Sequence, residues 1–168
     1  MSTLSILAIG IFVVAVAVGI LTARIKKAAY DYDERQLMAQ GRAYMWGFFT
    51  IFTYTVLYPL VTMVAGRELM ETDVALFLGI ELGLAVFSVY CIWKDAYFDV
   101  HSTRTLTGVV LVTLTQGAFG IPAALDGNLV VDGKLSFSAL HLSIFILCLI
   151  ILGNYGLKKA LTRREEDE

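Results

Sequence analysis

The chain has 168 residues, of which 58% are hydrophobic and only 17% are charged, and this balance excludes a soluble domain of ordinary composition. A formal net charge of −2 gives no indication of nucleic-acid binding. Cys91 and Cys148 lie inside apolar stretches without a CxxC or Cys/His spacing, so both are expected to pack in a core. The composition therefore predicts a protein whose main partner is the lipid bilayer.

Five apolar stretches, each about 20 residues long, follow one another along the chain, and each can cross a hydrocarbon core of roughly 30 Å as an α-helix. Strands of a membrane barrel would be shorter and would alternate apolar with polar residues. The predicted fold class is therefore all-α, an integral membrane helical bundle of five transmembrane helices in one domain. The spans are placed at residues 4–23, 43–65, 74–93, 106–125 and 137–157, with an inner loop at 24–42 and an inner tail at 158–168.

The basic residues predict how the five spans are oriented. Placing the N-terminus outside puts eleven of the 13 Lys and Arg residues on the cytoplasmic face and leaves only Arg67 and Lys134 outside. The predicted topology is N-terminus out and C-terminus in, for a multi-pass protein of the cell (cytoplasmic) membrane. The first span runs directly into Arg24 and is expected to act as an uncleaved signal anchor, while residues 163–168 are expected to form a disordered tail.

The loop before the second span begins with acidic residues, and either Asp31 or Asp33 is placed to cap a helix that runs straight into the span. Charged and aromatic residues of this loop, and of the segment after the third span, lie on the predicted inner face. There they either anchor the protein at the lipid interface or bind a partner protein. The candidate docking residues are Asp33, Glu34, Arg35, Asp95 and Tyr97.

Two sequence blocks stand out from the apolar background. The first is YDERQ at residues 32–36, followed by GRAY at 41–44 and GFFT at 47–50, and the second is YCIWKDAYF at 90–98. On these blocks the chain resembles a family of small bacterial polytopic membrane proteins of unknown function. The resemblance implies a bacterial multi-pass membrane protein and supplies no activity, cofactor or catalytic residue.

Glu81 is a carboxylate inside the third predicted span, seven residues from its outer start and so about 10 Å deep at helical rise. A charge at that depth must face protein, water or a partner. The residues expected beside it, as an outer-half polar pocket that binds an ion or moves a proton, are Tyr58, Thr62, Gln116 and His141. Two other interpretations stay open: a protonated acid that holds helices together through Gln116 or Tyr58, or a contact with a second subunit.

The connection between the fourth and fifth spans contains Asp132-Gly133, a pair suited to the positive φ angles of a type I′ turn. Apolar residues flank the pair, so a short β-hairpin is predicted on the outer face. It is interpreted either as a compact connector between helices or as an extracellular recognition element.

Gly79 and Gly83 flank Glu81 at a GxxxG spacing, which indicates close helix packing or, as the alternative, a homo-oligomer. No GxSxG, HExxH or phosphate-loop motif is present, and His101 and His141 are predicted on opposite membrane faces. No catalytic residue, metal site or cofactor is therefore predicted. The predicted function is a non-enzymatic membrane component that binds a membrane or cytoplasmic protein through its cytoplasmic face. The alternative is a small transporter or channel component that uses Glu81.

Overall fold

The computed structural model describes residues 33–97 and 103–166. Its elements are the helices α1 (Glu34–Ala65), α2 (Thr72–Trp93), α3 (Thr103–Leu125) and α4 (Ser138–Glu166) and the strands β1 (Val130–Val131) and β2 (Lys134–Leu135). Each of the four helices is long and apolar enough to cross a membrane. The mostly helical, multi-pass character is thus confirmed, while the predicted first span at 4–23 lies outside the described residues.

Two helices extend well beyond the predicted spans at their polar ends. α1 begins at Glu34, directly after Asp33, so residues 34–42 of the predicted loop form its first turns. α4 continues to Glu166, so the prediction of a disordered tail is wrong for residues 163–166, and residues 167–168 lie outside the described residues. The last part of α4 consists mainly of good helix formers, and Arg163 and Arg164 in its last turn interact favourably with the helix dipole.

The four helices form two helical hairpins. α1 packs against α2, α3 packs against α4, and α2 and α4 pack against each other, so the spatial order is α1, α2, α4, α3. The connections at 66–71 and 126–137 meet at one end of the bundle, which we call the hairpin end. The opposite end, where α1 begins and α2 and α4 end, is called the basic end because it carries Arg35, Arg42, Lys94 and Lys158.

Glycines allow α1 and α2 to approach each other closely. A Cβ atom on Gly83 would lie 3.0 Å from the carbonyl oxygen of Gly47 and would also meet the side chain of Ile51. A Cβ atom on Gly79 would lie 2.6 Å from the ring of Tyr54. The face that carries Gly79 and Gly83 therefore packs against α1 of the same chain.

The predicted β-hairpin is confirmed. β1 and β2 are antiparallel, with Val130 opposite Leu135, and the turn residues Asp132 and Gly133 have φ angles of 51° and 76°. The hairpin packs on the connection between α1 and α2, because the N–H of Leu135 donates to the carbonyl of Leu69 at 2.9 Å. The two helical hairpins are therefore joined at this end through backbone hydrogen bonds.

An ion pair between Lys134 and Glu68 adds to the same contact. The hydrogen bond from Lys134, together with its positive charge, holds the pKa of the Glu68 carboxyl below its ordinary value of 4.5. Since the Glu68 carboxyl is fully exposed, water screens the pair, and its role is to orient the hairpin more than to stabilise the fold.

Candidate functional site

α2 ends at the basic end in a turn that we call the cap, residues 94–97. The N–H of Ala96 donates to the carbonyl of Cys91 at 2.8 Å and that of Asp95 to the carbonyl of Ile92 at 3.3 Å, which is the hydrogen-bond pattern of a Schellman motif. Asp95 occupies the left-handed position, with a φ of 57°, where glycine is usual. Keeping a side chain there costs on the order of 1 kcal/mol or more, so the surrounding contacts must hold it.

Two glutamines of α1 hold the cap from one side. Nε2 of Gln36 donates to the carbonyl of Asp95 at 2.8 Å, and Nε2 of Gln40 donates to the carbonyl of Ala96 at 2.8 Å. The two amides are four residues apart and lie on one face of α1. Their two hydrogen bonds join the start of α1 to the end of α2 through the backbone of the cap.

A lysine of α4 holds the cap from the other side. Nζ of Lys158 donates to the carbonyl of Ile92 at 2.7 Å and forms an ion pair with the carboxylate of Asp95. One turn before Lys158, Asn154 accepts a hydrogen bond from the indole nitrogen of Trp93 at 3.0 Å. The cap is therefore tied to α1 and to α4 at once.

Small buried residues bring the two distinctive sequence blocks together beneath the cap. Ala43 of the first block and Ala39, which lies between two of its segments, pack with Cys91 and Ala96 of the second, and all four are buried. Partly buried aromatic residues surround this cluster, namely Phe87, Tyr90 and Tyr97. Ala43 of the first block and Cys91 and Ala96 of the second thus meet in one packed cluster.

The five candidate docking residues fall into two groups. Asp33, Glu34 and Arg35 are exposed at the start of α1. The exposed side chain of Asp95 pairs with Lys158, and the ring of Tyr97 packs against Phe87 with ring centroids 6.4 Å apart. Gln36, Gln40 and Lys158 were not predicted as site residues from the sequence. The i, i+4 pair of amides, which begins at the last residue of YDERQ, was a visible signal for two of them.

Glu81 lies where the two helical hairpins meet. Its side chain is only 8% exposed and lines a groove of about 230 Å³ between α2 and α4. The Ser143 hydroxyl of α4 lines the same groove, and it donates its proton to the carbonyl of Leu140 at 3.0 Å. Within residues 33–97 and 103–166, Oε1 of Glu81 has no hydrogen-bond partner.

The four neighbours predicted for Glu81 are placed in two other locations. Gln116 and His141 are joined by a 2.7 Å hydrogen bond between Oε1 and Nδ1, which links α3 to α4. Tyr58 and Thr62 line a cavity of about 390 Å³ between α1 and α2. Neither pair lines the groove at Glu81, so the structure brings the predicted pocket residues together pairwise and not as one site.

The described part of the chain shows no group of three His, Cys, Asp or Glu side chains placed to hold a metal ion. Its helices and their apolar surfaces define a multi-pass membrane protein. Comparisons with family models, with curated proteins and with solved structures find no match to the chain.

Proposed function

We propose that the protein is a non-enzymatic component of a bacterial cytoplasmic membrane that binds a partner protein through its basic end. In the proposed topology, five spans place the N-terminus outside and the basic end in the cytoplasm. The distribution of cations supports this orientation, because the described part of the hairpin end carries only Arg67 and Lys134. Arg35, Arg42, Lys94 and Lys158 lie at the opposite end.

The observation that carries the proposal is an ordered cap beside an exposed row of charges. Asp95 is held in its left-handed conformation by contacts from two other helices, which is more than the end of a helix requires. Glu34 and Arg35 are exposed in the first turn of α1, and the exposed Asp33 directly precedes it. Because these charged residues adjoin an ordered cap, this part of the protein loses little conformational entropy when a partner binds.

We expect reversal of the charges at Asp33 and Arg35, together with replacement of Glu34, to abolish partner binding without preventing membrane insertion. A photo-reactive residue in place of Glu34 should give one crosslinked species of defined mass in membranes. Combining it with Asp33→Lys and Arg35→Glu should remove that species, because both flanking charges then repel the partner's complementary surface. Protease protection of the hairpin end reports insertion.

The matched control reverses one acid and one base at the hairpin end, Asp126→Lys with Arg67→Glu, both on exposed residues. This control should leave the crosslinked species unchanged. The proposal is wrong if no species forms at residue 34, or if the control removes it equally well.

A second function is favoured by the unpartnered oxygen of Glu81. A nearly buried carboxyl with one free oxygen, beside a groove, is able to bind a cation or to accept a proton. The second proposal is therefore a small transporter or channel component in which Glu81 handles the ion, with Ser143 as its neighbour.

For this second function we expect Glu81→Gln to abolish a pH-dependent or cation-dependent flux in proteoliposomes, because the amide keeps the shape but loses the charge and the titrating proton. The flux is measured with an entrapped pH indicator across imposed proton, sodium and potassium gradients. Asp73→Asn, an exposed acid on the same helix, should retain the wild-type flux. Equal flux from wild type and Glu81→Gln, or none from wild type, rejects the second function.

A further inference from the structure

A small cavity at the basic end is lined by an unusual share of cations. It lies between the first turns of α1 and the end of α2 and has a volume of about 180 Å³. Three of its six lining residues are basic, and none is acidic. The lining residues of this basic pocket are Arg35, Met38, Ala39, Arg42, Tyr90 and Lys94.

The cations of the basic pocket have no acidic partner within residues 33–97 and 103–166. The ion pairs found there are Lys134 with Glu68 and Lys158 with Asp95. Asp95 directly follows Lys94, yet its carboxylate is bound by Lys158 from α4. Three like charges around one cavity repel each other, and an anion in the cavity would remove that repulsion.

The shape of the pocket suits a phosphate group. Arg35 and Arg42 are seven residues apart on α1, so both lie on one helix face, and Lys94 approaches from α2. Guanidinium groups bind phosphate oxygens through pairs of parallel hydrogen bonds, and a lysine adds a compact positive charge. Tyr90 carries a phenol group that is able to donate a further hydrogen bond.

A second groove connects the basic pocket to the apolar surface. It has a volume of about 470 Å³ and is lined by Ala85, Val86, Val89, Tyr90, Trp93 and Lys94. Tyr90 and Lys94 line both spaces, so the pocket and this apolar groove adjoin each other. An anion site that continues into an apolar groove along a transmembrane helix matches the two parts of a phospholipid.

We propose that the basic pocket binds the phosphate of an anionic glycerophospholipid, whose acyl chain lies in the apolar groove of α2. The position is appropriate, because basic pockets between transmembrane helices at the cytoplasmic side attract anionic headgroups. The apolar groove distinguishes a lipid from free phosphate, since inorganic phosphate would use only the pocket. This inference goes beyond partner binding and does not depend on it.

The test measures the melting temperature of the purified full-length protein in non-ionic detergent as lipid is added. Dioctanoyl phosphatidylglycerol should raise the melting temperature in a saturable manner. Phosphatidylcholine with the same chains should have little effect, because its ammonium group is repelled by the three cations. Glycerol phosphate and inorganic phosphate should bind far more weakly than the lipid, because they leave the apolar groove empty.

The variant that tests the pocket is Arg42→Gln with Lys94→Gln, which leaves Arg35 and the proposed docking row intact. Each cation near an anionic headgroup contributes about 1 kcal/mol, so the apparent affinity for phosphatidylglycerol should fall roughly thirty-fold. Lys159→Gln with Arg163→Gln is the matched control, since it removes two exposed cations from α4 towards the same end but outside the pocket. The control should keep the wild-type affinity.

Lys94→Gln alone provides a second variant, because Lys94 lies beyond the last residue of α2 and its replacement leaves the helix intact. It should weaken binding by about five-fold. Equal losses in the pocket and control variants would show nonspecific charge attraction and overturn the proposal. Binding of glycerol phosphate or inorganic phosphate as tight as that of the lipid would overturn it as well, by assigning the pocket to a free phosphate.

Discussion

Replacing Gly120 with valine is expected to force α3 away from α4. A Cβ atom at Gly120 would lie 2.7 Å from the backbone nitrogen of Leu142 and 2.8 Å from its Cα atom. Both atoms belong to the main chain of α4, so no side-chain rotation relieves the contact. Overpacking of this kind costs about 1–3 kcal/mol and more where the backbone must shift.

The effect of Gly120→Val is measured as the free energy of unfolding in a detergent mixture titrated with dodecyl sulfate. Gly108→Val on the same helix is the matched control, because a Cβ there meets no heavy atom within 4 Å. Both substitutions change helix propensity equally, so their difference isolates the packing contact. Equal stability of the two variants would contradict the close contact between α3 and α4.

Replacing Glu81 with leucine is expected to raise the free energy of unfolding by about 1–3 kcal/mol, which is the usual cost of leaving a buried polar group without a hydrogen bond. Leucine fills a similar volume, and Leu78, Leu82 and Leu147 already line the same groove. A gain in stability would show that packing of α2 against α4 does not require the carboxyl.

The measurement is the same unfolding titration, with Asp73→Leu as the control for removal of an acid from α2. Asp73 is exposed in the first turn of the helix, so its loss should lower stability slightly through the helix dipole. A clear loss of stability in Glu81→Leu would identify the carboxyl as a structural acid that holds α2 against α4. It would also remove the support for ion handling by Glu81.

Much of the fold follows from the sequence because the bilayer restricts the backbone conformations that an apolar chain can adopt. Stretches of about 20 apolar residues satisfy their backbone only as helices, so the spans within the described residues are predicted from length alone. The hairpin follows from local chemistry, since Asp132-Gly133 tolerates the two positive φ angles that its turn requires.

The neighbours of each helix do not follow from the sequence in the same way. A soluble helix shows its buried face as an apolar stripe, but here apolar side chains surround each span, and the stripe is lost. The sequence places Glu81 along its helix but does not indicate the direction in which its side chain points. It faces Ser143 on α4, while Gln116 and His141 bind each other and Tyr58 and Thr62 line a separate cavity.

The order α1, α2, α4, α3 has a consequence for how the protein is made. Each helical hairpin joins consecutive elements, so α1 with α2, and α3 with α4, are able to pair as soon as both members leave the ribosome. The contact between α2 and α4 must wait for α4, which brings Ser143 to Glu81. Until then this carboxyl lacks its neighbour on α4, so the two helical hairpins join only after α4 has been made.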